Sequence, residues 1–161
     1  MYVHIPEGLA PVTLLAPAAD AGGRTGAVYV SLKNALKAFL VVHINQGNAA
    51  TVAITPVQAT AVAGTGSKVL TNNVPIWSNQ DCVASSAYVR ATDAANLTTS
   101  AGVKDKIIIF DIDPTLAMDM ALGFDCISVT TGASNAANIT SAELFVLPKF
   151  GGVSQPDYIT D

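Results

Sequence analysis

The chain has 161 residues, half of them hydrophobic but only 6% aromatic, and 12% charged. That length suits one domain that buries its own core without a metal or disulfide staple. Eight basic residues against twelve acidic ones give a net charge of −4 with no Lys/Arg run, which excludes a protein that tracks nucleic-acid phosphates.

The charged share is about half the usual ~25%. The surface must then be largely Ser, Thr, Asn, Gln and Ala, which lose little ionic hydration when another surface covers them. Such an exterior suits a protein packed among neighbours. Two cysteines, Cys82 and Cys126, are too few for a disulfide framework. Each follows an aspartate and opens a strand-like run. They are read as buried free thiols, with a bridge left open should their strands adjoin. The start, Met1 to Glu7, lacks a basic region followed by an apolar stretch. No run nears the ~18 apolar residues of a membrane span. A soluble product made in the cytoplasm, with no membrane partner, is expected.

Residues 1–26 read as an N-terminal arm, punctuated by Pro6, Pro11 and Pro17, with a short apolar piece at Val12 to Leu15 fit to join a sheet edge. From Ala27 the period becomes two, with Val28, Val30 and Leu32 on one side. Ala38 to Asn45 is apolar on both parities. It reads as a central strand covered on both faces, or one with an interface on its outer face. Gln46-Gly47-Asn48 marks a turn, and Thr51 to Val57 follows as the second arm of the best hairpin in the chain. Lys68 to Leu70 and Val74 to Trp77 are short strand candidates, and Cys82 to Thr92 is a weakly patterned one. Lys106 to Ile112, with three isoleucines and Phe110 in a row, is the strongest β-forming stretch. A loop or single helical turn is predicted over 115–123. Cys126 to Thr131 and Ile139 to Leu147 alternate cleanly and complete the set. Residues 148–161 read as a C-terminal tail.

About eight short strands with no long 3.6-residue period predict an all-β fold. The architecture expected is a two-sheet antiparallel sandwich, jelly-roll-like, spanning 27–147 and carrying extended N- and C-terminal arms.

Four features invite a chemical reading. Asp111-Ile112-Asp113-Pro114-Thr115-Leu116, after the isoleucine run, resembles the first motif of haloacid-dehalogenase-type phosphatases. Paired carboxylates at a strand end can hold an oxygen-seeking cation. Proline replaces that family's glycine, however, and too little chain follows for its parallel α/β sheet. Gly64-Thr65-Gly66-Ser67-Lys68 has a phosphate-loop flavour, but its Ser-Lys order is wrong and a strand-like run follows. His4 and His43 have no Cys/His/Glu spacing of a zinc site and no flagged triad partner. Trp77, with Tyr88 near it in sequence, is packing or a sugar platform. The reading is therefore of no enzyme, with no catalytic residue, metal, cofactor or small-molecule substrate.

Several stretches together carry a resemblance. They are Ala21-Gly22-Gly23-Arg24-Thr25, Val30-Ser31-Leu32-Lys33-Asn34, Ile44 to Thr51, Gln58 to Gly64, Pro75-Ile76-Trp77-Ser78-Asn79, Phe124-Asp125-Cys126-Ile127, and Thr131 to Thr140. The combination resembles small virion structural proteins of tailed bacteriophages and prophages, and covers the chain from Asp20 to the tail. What the resemblance implies is a coat role, such as a jelly-roll capsid decoration or cement protein on the head surface. Its partners would be the major capsid protein and itself, as a trimer or dimer. It supplies no catalytic residues. A tail or head–tail joining part, or a carbohydrate-binding β-sandwich module, are the alternatives. The bulky arm residues Tyr2, Ile5 and Leu9, with Phe150, Tyr158 and Ile159, are the expected partner-binding anchors.

Overall fold

A computed structural model describes residues 4–5, 7–150 and 156–160. In chain order the strands are β1 (Ala10–Ala19), β2 (Arg24–Thr25), β3 (Val30–Ser31), β4 (Ala35–Gln46), β5 (Ala53–Ala59) and β6 (Lys68–Val69). β7 (Val74–Asn79), β8 (Val89–Ala94), β9 (Leu97–Thr98) and β10 (Asp105–Ile112) follow. The single-turn helix α1 (Pro114–Ala117) and a 3₁₀ turn (Met120–Leu122) lead into β11 (Cys126–Thr131) and β12 (Asn138–Pro148).

The strands form two antiparallel sheets that pack against each other, the expected all-β sandwich. The large sheet runs β1-β12-β4-β10-β7-β8. The small one runs β2-β11-β5-β6, with β3 also on β11 and β9 also on β5. Alternation decides what each strand buries. β4 sends Ala38, Leu40, Val42 and Ile44 inward, β10 sends Ile108, Phe110 and Ile112, and β12 sends Ala142, Leu144 and Val146. Ile54, Ile127 and Val129 of the small sheet close the core from the other side. Each Val, Leu, Ile or Phe among them contributes roughly 1.5–3 kcal/mol of burial.

Two buried polar clusters join the layers. The Asp20 carboxylate accepts hydrogen bonds from Thr131 Oγ1 of β11 (2.7 Å) and from Thr140 Oγ1 of β12. Lys106, fully buried, donates from Nζ to Gln46 Oε1 (2.9 Å) and to Ser100 O (2.6 Å) and Oγ (3.1 Å).

Four expectations change. The hairpin of 38–45 with 51–57 does not form. β4 lies between β12 and β10, while β5 crosses to the small sheet. β12 and β10 flank β4 over nearly its whole length, a longer ladder than β5 offers. The arch is tied by Asn138, whose Oδ1 accepts from Asn48 N (2.9 Å) and whose Nδ2 donates to Ala50 O (2.8 Å). It also needs Gly47, where a Cβ would stand 2.5 Å from Ala137 O. Second, the expected arm is woven into the body from Ala10 onward. β1 is an edge strand on β12, the position where Pro11 and Pro17 are tolerated. Its outer carbonyls are capped: Arg24 donates to Ala16 O (2.6 Å) and Ala18 O (3.3 Å), and Ala27 N donates to Leu14 O (2.9 Å). Third, Val30–Ser31 alone are strand in the run expected from Ala27. Fourth, Cys82 sits half-buried in the turns after β7 rather than in a strand. Cys126 opens β11 as expected, and the two cysteines form no disulfide with each other.

Candidate contact surfaces

The predicted anchors separate into three groups. Tyr2 lies outside the described residues. Ile5, Phe150 and Ile159 are exposed, and Leu9 is half-buried. Tyr158 is different, being 6% exposed within the chain's own core, with its carbonyl accepting from Ser31 N (2.7 Å). Burial pushes its phenol above the usual tyrosine range. Its ring therefore staples the tail to this chain. Around it the two ends converge. Glu7, Ala10 to Thr13, Val28 and Pro156 to Ile159 line a cleft of about 540 Å³. Tyr158 and Ile159 share that corner, whereas Phe150 stands elsewhere, 77% exposed.

The chemical lures resolve into structure. Asp111 ion-pairs with Lys37 (2.7 Å). Asp113 caps α1, its Oδ1 accepting from Thr115 N (2.9 Å) and Thr115 Oγ1 (2.7 Å). The two carboxylates thus end an antiparallel strand rather than the parallel one the phosphatase motif needs. Among the described residues no three His, Cys, Asp or Glu side chains gather closely enough to hold a metal ion. The glycine-rich run 64–68 is a tight turn with Gly64 and Gly66 at φ 78° and 66°, and it enters the two-residue β6 instead of a helix. Lys68 there pairs with Asp119 and lies 4.1 Å over the Phe124 ring. His43 is exposed on β4 between Ile107 and Ser141 of the adjoining strands.

The outer face of the large sheet is the most distinctive surface. A sheet side open to water ordinarily alternates to polar residues. Here Trp77, Ile109 and Val41 stand side by side on β7, β10 and β4, and Phe39 stands beside Phe145 of β12. Ile107 adjoins one end of this patch. All are half-buried except Trp77, which is 39% exposed.

No family model, curated protein or solved structure matches this chain.

On that outer face Lys37 and Arg90 are paired with acids, and Glu143 holds a neutral donor. Lys37 bonds Asp111 and lies 5.6 Å over the Phe39 ring. Arg90 pairs with Asp93 (2.6 Å) and lies 5.7 Å over the Trp77 ring. Glu143 accepts from Thr13 Oγ1 (2.8 Å). The patch was half legible. The both-parity apolar run at 38–45 gave an outer interface as one reading, and the isoleucine row of β10 carries the same signal. The sideways alignment with Trp77 and Phe145 depends on register, which a single sequence does not print.

Proposed function

We propose that this chain is a structural protein of a bacteriophage virion, a capsid decoration or cement component that binds the major capsid protein and strengthens the head shell. The observation that supports it best is the apolar patch on the outer face of the large sheet, a surface that gains by being covered. A rigid sandwich beneath it resists shear, because close-packed interiors transmit strain with little compression. The weakly ionic exterior lowers the cost of every contact. The exposed Ile5, Phe150 and Ile159 offer further anchors, while Tyr158 is already used internally.

The test is quantitative proteomics of purified particles, with binding of the isolated protein to preassembled heads lacking it. Hundreds of copies per particle are expected. A dozen or fewer would move the protein to the tail or the head–tail joint. Its absence from particles would end the proposal.

One observation favours a second reading. Trp77 and Tyr88 are 39% and 41% exposed, which leaves both rings open to stack on a sugar. Arg90 already covers part of the Trp77 ring. A glycan array without binding removes this reading.

A further inference from the structure

We propose that the outer face of the large sheet is closed by a second copy of the same chain, sheet against sheet, with Val41 and Ile109 near the centre of the contact. The inference rests on that face being a contact surface, as under the proposed function, and names its occupant.

Three observations support a copy as that occupant. The first is area. Six strands at about 4.8 Å spacing cover ~29 Å, and the eight residues of β10 run ~27 Å. The product is roughly 780 Å², close to the ~800 Å² that each side contributes to a stable interface. The second is charge. A face of one sign selects an oppositely charged partner. On this face Lys37 is neutralised by Asp111 and Arg90 by Asp93, while Glu143, held by Thr13, and Asp105 at the start of β10 have no basic partner among the described residues, so a copy meets two scattered like charges rather than a strong field of one sign. The third is what the other surfaces offer. The β1 edge is capped by Arg24 and Ala27, and the cleft between the two ends is floored by the chain's own Tyr158. The outer face has no such cover among the described residues. Twisted sheets stack about 10 Å apart at roughly 30°, which places one apolar row over another. A two-fold axis then uses the same patch on both chains, the commonest closed symmetry.

The test uses the full chain and its sole tryptophan. Sedimentation velocity at about 100 μM, where even a micromolar dimer is formed, should give twice the chain mass. Val41→Arg and Ile109→Lys should each halve it with an unchanged circular dichroism spectrum. Leu122→Lys, far from this face at an exposed 3₁₀ turn, should leave the dimer intact. A readout that needs no substitution guards against misfolded variants: acrylamide quenching of Trp77 should fall as the wild type is concentrated. A monomeric wild type overturns the proposal. So does a dimer that survives both substitutions, a trimer, or Trp77 quenching that is independent of concentration. A monomer that still binds preassembled heads overturns the copy and leaves the virion role standing. A stable dimer that binds no heads does the reverse.

Discussion

The two faces of the large sheet are made from alternate residues of the same strands, and both are apolar. Ile108, Phe110, Val42 and Leu40 lie on one side, and Ile107, Ile109, Val41 and Phe39 on the other. The first set is wholly buried and the second only half. The difference comes from the neighbour each face meets. Ile54, Ile127 and Val129 of the small sheet complete the inner contacts, and no second layer stands over the outer ones among the described residues. Hydrophobicity therefore does not tell which side of a strand is core. The two faces should nonetheless respond very differently to truncation. The largest response belongs to the inner side, where Phe110→Ala should cost about 3–5 kcal/mol, seen as a lower urea midpoint at constant m-value. A loss under about 1 kcal/mol would break the comparison.

The inner face also holds one group that contradicts its chemistry. Lys106 shares the parity of Ile108 and Phe110, and burial pushes its ammonium below the ordinary 10.5. The folded state therefore releases this proton at lower pH than the unfolded chain does. Between the lowered value and 10.5 the unfolded chain holds more protons, so wild-type stability should rise with pH across that window. Lys106→Met has no such titration. Its acceptors keep other donors, Gln46 Oε1 from Thr99 Oγ1 (2.8 Å) and Ser100 O from Gln46 Nε2 (2.9 Å). The variant should lie within about 2 kcal/mol of wild type at neutral pH, and wild type should gain on it as pH climbs. Urea titrations of both proteins at several pH values measure this. A pH-independent gap would show that the ammonium carries no burial penalty.

The sequence made the faces of strands legible and left their neighbours hidden. β10, β11 and β12 fall where alternation puts them, because a period of two is a local property. The arch from β4 to β5 reads as a hairpin in sequence, since the same turn signal serves both and the choice depends on distant β10 and β12. Residues 10–19 read as part of an arm whose apolar piece, Val12 to Leu15, is fit for a sheet edge, and the edge beside β12 is where the whole stretch lies, a position that forgives its prolines. Tyr158 was expected to reach another chain. Its burial depends on the tail folding back beside Ser31, a contact no spacing encodes. Exposed Ile5, Phe150 and Ile159 remain free for the role proposed for them.

At the end of β10 the faces can be compared with a polar residue that only ends the strand. Asp113 satisfies the first turn of α1, so Asp113→Ala should cost about 1 kcal/mol in thermal or urea unfolding. A loss of several kcal/mol would mean that this carboxylate belongs to a buried network rather than to a surface cap.

The smallest expected effect is the sharpest discriminator. Ile108 and Ile109 are adjacent, equal in size and opposite in direction. Ile108→Thr places a hydroxyl in the core and should cost well over 2 kcal/mol. Ile109→Thr, measured at submicromolar concentration, should cost about 0.5 kcal/mol, because threonine keeps the β-branched shape on a half-open face. At high concentration the same substitution should cost more, since whatever covers the face in the native state adds its binding energy to the wild type alone. A cost for Ile109→Thr that equals that of Ile108→Thr at every concentration would place both residues in one core. It would also remove the reason to seek a partner for the outer face.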